Sequence, residues 1–230
     1  MRRAVIVLLL MSLAGFAIWG VFLSIPSRYN PWAPLDLTAA PNLITRYKLY
    51  RVKHNRDLCL QALRSTDIEF RPLEDQPGGK CPLANIVRVS KAGANFNHSF
   101  TASCALAAAW EIFRHNALQQ AAEKHFHQPV AKVEHVGTYA CRNIYHRAFG
   151  RLSQHARANA IDVTAFVLAD GTRISVERDW KNSKQSPKAA FLRDIHEGAC
   201  NAFNTVFGPD YNAAHATHFH FDMGGLWRCR

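Results

Sequence analysis

The pattern of apolar residues along the chain predicts two long helices. The first covers Ala102–Phe126, an alanine-rich stretch whose apolar side chains recur at helical spacing at Leu106, Trp110, Phe113 and Ala117. A Gln-Pro pair follows this stretch and is expected to end the helix. The second helix is predicted over Ala189–Phe207, with a Gly-Pro pair as its stop; its apolar positions are Phe191, Ile195, Ala199, Phe203 and Val206. We interpret the first helix as a mostly buried scaffold.

The segments between these helices predict antiparallel strands. Val130–Val136 shows a weak alternation, whereas Ile161–Leu168 is rich in β-branched and aromatic residues. The turn Ala169–Thr172 separates this stronger strand from a hairpin partner at Arg173–Val176. Helices and antiparallel strands in mixed order predict an α+β domain, in which a small antiparallel sheet is flanked by helices.

The N-terminal segment predicts a transmembrane helix. Arg2 and Arg3 precede residues 4–25, which carry no charge and are long enough to cross a bilayer as a helix. The segment ends without a clear cleavage motif, which favours an uncleaved signal anchor over a cleaved signal peptide. The two arginines are expected to stay in the cytoplasm. We therefore predict a single-pass protein of the bacterial inner membrane, with a linker and lead-in at 26–57 and a periplasmic domain at 58–230.

Cysteine usage agrees with export. The six cysteines are widely spaced and form no Cys-x-x-Cys pair, so disulfides are a better interpretation than a zinc ribbon; they are Cys59, Cys81, Cys104, Cys141, Cys200 and Cys229. A pairing of Cys59 with Cys81 would close a short loop around Pro77-Gly78-Gly79 and is one hypothesis. The other pairings stay open.

The net charge indicates an anionic partner. The chain has 28 basic and 17 acidic residues, a formal charge of +11, which favours phospholipid headgroups, acidic cell-wall polymers or nucleic acid. The basic residues are scattered, without a basic stripe interleaved with aromatic residues, so no nucleic-acid partner is expected. A solvated basic surface that aids solubility is the alternative to a role in wall binding.

Histidines and an aspartate in two distant segments predict a metal site. His155, Asp162 and one of the later histidines would supply three nitrogen or oxygen ligands and leave one position for water, as in catalytic zinc sites. His155 lies in a polar stretch that can fold over the end of the strand carrying Asp162. Single histidines are usually surface or core residues, so the prediction depends on the combined pattern.

The second segment is expected to present its polar residues on one face. Alternate side chains of an extended strand point the same way, so His218, His220 and Asp222 face a cleft. Phe219 and Phe221 would then point into the core. One of the two histidines could bind metal while the other contacts bound water or substrate.

Several motifs together indicate a family. They are Tyr139-x-Cys141-Arg142, Ser153-x-His155-x-x-Ala158-x-Ala160-x-Asp162, Phe191-Leu192-Arg193, Ala199-Cys200 and His215-x-x-His218-x-His220-x-Asp222. Over about Leu58 to Cys229 the chain resembles the bacterial extensin-like C-terminal domain family. That family is similar to the zinc peptidases grouped around lysostaphin and the D-Ala-D-Ala carboxypeptidases, with their His-x6-Asp and later His-x-His signature. The spacing His-x-x-His-x-His is similar to that of the penicillin-insensitive murein endopeptidases.

The resemblance implies roles for individual residues. It implies Zn²⁺ as the cofactor, with His155, Asp162 and His220 as its ligands. His218 would lie close to the metal-bound water, and His215 would be a further catalytic histidine. Two assignments stay open. Asp222 either orients a ligand imidazole or satisfies a backbone group, and Arg142 either binds a substrate carboxylate or is structural.

The implied function is that of a zinc metallopeptidase that cleaves peptide bonds in murein stems or cross-links, with peptidoglycan as partner and substrate. Two alternatives stay open: a non-catalytic cell-wall-binding or scaffolding module that keeps the fold, and a zinc hydrolase or amidase acting on another polymer.

Two features depart from the family pattern. Ala158 stands where glycine is usual, which would cost energy if the position needs a positive φ. No acidic residue lies between Asp210 and Asp222, where many related peptidases place a glutamate base. A histidine would have to act as the general base.

Overall fold

The structure is a computed structural model that describes residues 2–183, 186–225 and 227–230. Its helices are α1 (Arg2–Ser24), α2 (Leu43–His54), α3 (Arg56–Arg64), α4 (Cys104–Phe113), α5 (Gln119–Phe126), α6 (Val176–Asp179) and α7 (Pro187–Ala202). Its strands are β1 (Glu69–Pro72), β2 (Ile86–Lys91), β3 (Asn95–Ser103), β4 (Val130–His135), β5 (Ala160–Leu168), β6 (Arg173–Ser175), β7 (Thr205–Phe207), β8 (Phe219–Asp222) and β9 (Arg228–Cys229). The predicted α+β class is confirmed.

All of these strands belong to one sheet. Their order is β1-β2-β3-β4-β5-β8-β7-β9, and β6 pairs with β5 beside this path. The β3–β4 and β7–β9 pairs are parallel, and the other pairs are antiparallel. The sheet is larger than the small antiparallel sheet that was predicted, and two of its strand pairs are parallel. The prediction missed β1 to β3, whose polar exposed positions weaken the apolar signal in the sequence.

The predicted central strands are confirmed, and β5 positions the rest of the molecule. Residues from Ile161 to Leu168 alternate buried apolar side chains with partly exposed ones, and the strand pairs with β4, β6 and β8. On β8, Phe219 and Phe221 are fully buried, as predicted. Phe221 stacks on Phe203 and contacts Phe113 of α4, so aromatic packing joins the sheet to its helical layer.

The predicted scaffold helix is confirmed, with an interruption. Ser103 caps α4 by accepting the backbone N–H of Leu106, and every residue of α4 is buried. A π-helical turn at Arg114–Leu118 then connects α4 to α5. The helix ends where His127 adopts a left-handed conformation just before Pro129.

The second predicted helix was too long. It begins at Pro187 and ends at Ala202, and its last predicted part is strand β7. Phe203 already has an extended backbone, and Thr205 pairs with Asp222 of β8. Phe203 packs from the end of α7 and Val206 packs from β7, so their helix-like spacing is a coincidence of two neighbouring elements.

The cysteines form three disulfides: Cys59–Cys104, Cys81–Cys141 and Cys200–Cys229. The prediction of disulfides is confirmed, but the Cys59–Cys81 hypothesis was wrong. Helices α3 and α4 pack together, which brings Cys59 to the first residue of α4. Cys81 instead bonds to Cys141, which links the loop before β2 to the segment that follows β4.

The first two helices, α1 and α2, differ in their surroundings. α1 covers most of the predicted anchor, whose first residue, Met1, lies outside the described residues. Within the described part of the chain, no helix combines the length and the apolar character needed to cross a bilayer. α2 lies inside the stretch interpreted as lead-in, and its buried Leu49 and Val52 belong to the main core.

Candidate metal centre

Three of the predicted ligands converge at the end of the β5–β8 pair. Asp162 of β5 is the direct cross-strand partner of His220 of β8, so both side chains leave the sheet at the same point. His155 lies on a short 3₁₀ helix, Gln154–Arg157, which directly precedes β5 and folds over its end. One strand pairing and one tight turn therefore bring together three residues that are distant in the sequence.

The ligand atoms are close enough to share one ion. His220 Nδ1 lies 2.8 Å from Asp162 Oδ1, and His155 Nε2 lies 3.1 Å from Asp162 Oδ2. The two imidazole nitrogens, His155 Nε2 and His220 Nδ1, are 3.3 Å apart. Ligand atoms on a tetrahedral zinc are separated by roughly 3.3 Å. The observed spacing is that of a group that could hold a metal ion.

Hydrogen bonds on the outer side of both imidazoles define which nitrogen faces the centre. His155 Nδ1 lies 3.3 Å from the carbonyl oxygen of Thr138, which can only accept, so Nδ1–H donates and Nε2 keeps its lone pair. His220 Nε2 lies 3.0 Å from Asp222 Oδ2 and donates to it, so Nδ1 faces the centre and would offer its lone pair to a metal ion once deprotonated. Such outer partners commonly fix metal-ligating histidines.

Asp222 performs both of the roles that the sequence left open. One of its oxygens accepts from the His220 imidazole, and the other accepts the backbone N–H of Gly224 at 2.7 Å. The carboxylate is buried, and its position is fixed from two sides. It orients the His220 imidazole and also closes the turn that follows β8.

The electrostatics of the cluster favour positive charge. Burial alone would raise the pKa of Asp162, but the imidazoles of His155 and His220 lower it far below its usual range. Burial would lower the pKa of His220, but the hydrogen bonds to Asp162 and Asp222 raise it to about 9. In the absence of a metal ion, a second proton on His220 thus supplies the positive charge that balances the carboxylates of Asp162 and Asp222.

The other two predicted histidines lie beside the ligands. His218 precedes β8, and its Nε2 is 3.6 Å from Asp162 Oδ1. His215 ends a short 3₁₀ helix, Ala213–His215, and its ring centroid lies 5.4 Å from that of His218 and 5.6 Å from that of His220. Burial, followed by the charge of neighbouring histidines, lowers the pKa of His215 to about 4. Burial also lowers the pKa of His218, against the attraction of Asp162.

All six predicted site residues line one cavity of about 380 Å³. Arg142 is half-buried in its wall, and its charge helps to lower the pKa of His218. The loop from Arg142 to Arg151 forms the opposite wall and adds Tyr145. The cavity is therefore basic and partly aromatic, with the ligand cluster at one side.

Ala158 adopts the conformation that glycine would favour. Its φ is +48°, in the left-handed region, where it ends the 3₁₀ helix that carries His155. Its N–H donates to the carbonyl of His155, and its own carbonyl accepts the N–H of Ser103. The side chain is fully buried against Leu83 and Ile86.

The sequence analysis missed three residues of the site, Thr138, Tyr145 and Asn212. Thr138 contributes only a backbone carbonyl, which no side-chain pattern can reveal. Asn212 accepts the His215 Nδ1–H at 2.8 Å, and its amide donates to the Tyr145 hydroxyl at 3.1 Å. Asn212 also caps the short helix before His215. An asparagine three residues before a candidate histidine was the available signal.

The fold and site define an α+β domain in which two histidines and an aspartate converge beside a basic cavity. A family model described as Extensin-like protein C-terminus matches residues 57–230, and the chain belongs to this family. No curated protein and no solved structure matches the chain. What the domain does is therefore inferred from its own residues.

Proposed function

We propose that this protein is a zinc-dependent peptidoglycan hydrolase that cleaves peptide bonds in murein stems or cross-links. The observation that carries the proposal is the ligand cluster itself. Two imidazole nitrogens and an ionised carboxylate face one another at hydrogen-bond distance, and the outer hydrogen bonds of both rings leave these nitrogens free to bind a metal ion once His220 has lost its second proton. A bound cation would replace the positive charge that this proton supplies in the metal-free protein.

The donor set supports zinc. Two imidazoles and one carboxylate are common ligands of catalytic zinc, and three protein ligands leave a position for water. His155, Asp162 and His220 would hold the ion, and Asp222 and the Thr138 carbonyl would orient the two imidazoles. When bound, zinc would lower the pKa of a water molecule towards 7 and polarise the scissile carbonyl.

The two remaining histidines divide the proton chemistry between them. Asn212 accepts the Nδ1–H of His215, so the Nε2 lone pair of His215 is available, and its lowered pKa keeps the ring neutral near pH 7. His215 accepts the proton of the attacking water and returns it to the leaving amine. Thr217 Oγ1 lies 3.3 Å from His218 Nδ1, and the Nε2 of His218 points towards Asp162. As an Nε2–H donor, His218 stabilises the developing oxyanion.

The cavity and the charge of the chain favour an anionic peptide substrate. Arg142, in the cavity wall, can bind a substrate carboxylate through a paired contact. Murein stems contain free carboxylates, and the net charge of +11 attracts anionic polymers. Three disulfides favour an oxidising compartment such as the periplasm. Similarity to lysostaphin-type and D-Ala-D-Ala peptidases, and anchoring in the inner membrane by the N-terminal segment, belong to the same proposal.

Digestion of purified sacculi tests the proposal. The protein is incubated with sacculi, with and without a chelator, and released fragments are identified by mass. We expect peptide-bond cleavage that stops with chelator and returns with added zinc. His218→Ala and His215→Ala should each lower the rate by about 10²–10⁴-fold while zinc still binds. Fragments from cleavage of glycan bonds would contradict the proposal.

A binding module is the second candidate, and it makes a different prediction. Ala158 and the missing glutamate favour it, since each departs from the pattern of active relatives. Sacculi that remain undigested while the protein binds both them and zinc would identify such a module. A zinc amidase for another polymer would leave sacculi intact and bind them no better than an unrelated basic protein.

A further inference from the structure

A second groove lies next to the catalytic cavity along the chain: Asp222 lines the cavity, and the residues that follow it, Met223 to Gly225, line the groove. Three residues of α2, Arg46, Tyr50 and Lys53, follow one another at helical spacing and line it from one side. The turn at Gly224 and Gly225, directly after β8, lines it from the other side. The groove has a volume of about 260 Å³, which is large enough for part of a polymer chain.

The groove carries positive charge that the protein does not neutralise. Within the described ranges, Arg46, Lys53 and the neighbouring Arg157 form no salt bridge. Lys53 as a whole is exposed, but its ammonium group is partly desolvated, and this lowers its pKa. The charge of Arg157 lowers the pKa further, whereas the charge of Asp222 acts in the opposite direction. Asp222 is already engaged by His220 and Gly224. An external anion is therefore the partner that these cations lack.

Two exposed aromatic rings stand at this groove. Tyr50 is 62% exposed and Trp227 is 56% exposed. The Trp227 ring is held in place because its Nε1–H donates to the carbonyl of Cys200, and the Arg46 guanidinium lies 5.2 Å from the ring centroid. Flat, fixed aromatic faces beside cations suit a ligand that combines sugar rings with acidic groups.

We infer that this groove binds the glycan strand of peptidoglycan, together with carboxylates of the attached stem peptides, at a site separate from the catalytic cavity. The inference rests on the proposed function, because it takes peptidoglycan as the substrate. Arg46 and Lys53 pair with carboxylates of stem peptides, and Tyr50 and Trp227 stack on sugar faces of the strand. The groove would hold the polymer while a stem peptide reaches the neighbouring catalytic cavity.

Sedimentation of the full chain with purified sacculi tests this site. Chelator is present throughout, so that digestion does not alter the polymer. We expect Arg46→Gln with Lys53→Gln to weaken binding by about tenfold or more, because two charge-assisted contacts are lost. The double variant Arg64→Gln with Arg71→Gln removes the same charge from exposed positions elsewhere and should bind as the wild type does. Circular dichroism checks that each variant is folded.

Chemical variants of the polymer identify the recognised group. Sacculi whose carboxylates have been amidated should bind the wild type as weakly as native sacculi bind the Arg46/Lys53 variant. Equal binding of native sacculi by the wild type and that variant would overturn the inference. Competition by phosphatidylglycerol vesicles that is lost in the same variant would also overturn it, because the groove would then be a phospholipid site.

Cleavage is measured separately on a soluble peptide-linked murein fragment that lacks a long glycan strand. We expect the Arg46/Lys53 variant to cleave this fragment at the wild-type rate. If the wild type cleaves no fragment while the variant still loses affinity for sacculi, the proposed hydrolase fails and the groove stands. If cleavage occurs but the variant binds sacculi normally, the groove fails and the hydrolase stands.

Discussion

Two clusters of carboxylates and histidines in this protein have similar geometry but receive their positive charge from different sources. His155, Asp162 and His220 form one, and Asp67, Glu111 and His115 form the other; in each, the potential ligand atoms lie within 4.8 Å of one another. In the second cluster a guanidinium is already present. In the first, among described residues, no lysine or arginine forms a salt bridge with the carboxylate.

Arg114 satisfies the second cluster from within. Its guanidinium donates to both oxygens of Glu111, at 3.0 and 2.7 Å, and also to Asp67. Glu111 is fully buried, and Gly93 leaves the space that the Arg114 side chain occupies, because a Cβ there would meet it at 2.2 Å. The comparison teaches that close acidic and imidazole groups do not by themselves indicate a metal. Whether a cluster needs a metal ion depends on whether a protein cation already compensates the charge of its carboxylates.

The largest expected effect comes from removing that internal cation. Arg114→Met should lower the free energy of unfolding by about 3–5 kcal/mol, because Glu111 would remain buried without a partner. Chemical denaturation measures the change. Arg173→Met is the matched control: Arg173 pairs with Glu134 near the surface, so its loss should cost only about 0–1 kcal/mol. Equal effects of the two substitutions would show that the Arg114 cluster is not compensated as described.

The metal-free protein should respond to pH at the first cluster. The folded pKa of His220, about 9, lies above its usual 6.5, so its stabilisation is fully present below pH 6.5 and is lost as pH rises through 9. The loss amounts to at most about 3 kcal/mol. Urea unfolding in chelator at pH 6 and pH 9 measures it. His220→Gln should remove most of this dependence.

Zinc should reverse that trend. Metal binding requires deprotonated imidazoles, so the stabilisation that zinc provides should grow between pH 6 and pH 8. At the Asp67–Glu111–His115 cluster we expect no stabilisation by zinc at any of these pH values, because Arg114 already pairs with Glu111 there. A zinc effect that is independent of pH would mean that the metal binds outside the first cluster.

Next in size is the effect of the residue that orients His220. Asp222→Asn keeps the size of the side chain and one oxygen for the Gly224 N–H, but its amide cannot accept from His220 Nε2. We expect zinc affinity to fall by about 10–100-fold, the usual cost of losing an outer partner. Competition with a chromophoric chelator measures the affinity. Unchanged affinity would show that Asp222 serves only the turn.

The sequence was sufficient for the central part of the molecule. The sequence signal of β5 is strong because buried and partly exposed residues alternate along most of this strand, and that of α4 is strong because all of its residues are buried. Strand alternation and ligand chemistry pointed to His155, Asp162 and one of the later histidines, and the family resemblance implied that this histidine is His220. Their convergence then followed from the β5–β8 pairing.

Other features lay beyond what local patterns contain. The end of α7 was missed because Phe203 and Val206 are buried on successive elements at a helix-like interval. The disulfides depend on which helices pack together, so the short loop between Cys59 and Cys81 was no guide. The Thr138 carbonyl and the α2 groove arise from backbone positions and from a helix meeting a distant turn.

The smallest expected effect concerns Ala158, an alanine in the left-handed region of the backbone. Ala158→Gly should relieve left-handed strain of about 1 kcal/mol, but it also removes a buried methyl group worth about 0.8 kcal/mol and makes the unfolded chain more flexible. The free energy of unfolding should therefore change by less than about 1 kcal/mol. Ala156→Gly, also fully buried but without a positive φ, should destabilise by about 1–2 kcal/mol.

These two alanines decide whether the left-handed conformation of Ala158 matters for the site. Ala158 ends the 3₁₀ helix that holds His155, so a stabilisation above about 2 kcal/mol on Ala158→Gly would exceed the usual cost of a left-handed alanine and indicate a strained ligand loop. A change near zero, with unaltered zinc affinity, would mean that packing against Leu83 and Ile86 compensates the strain. The alanine would then no longer favour an inactive binding module over the hydrolase.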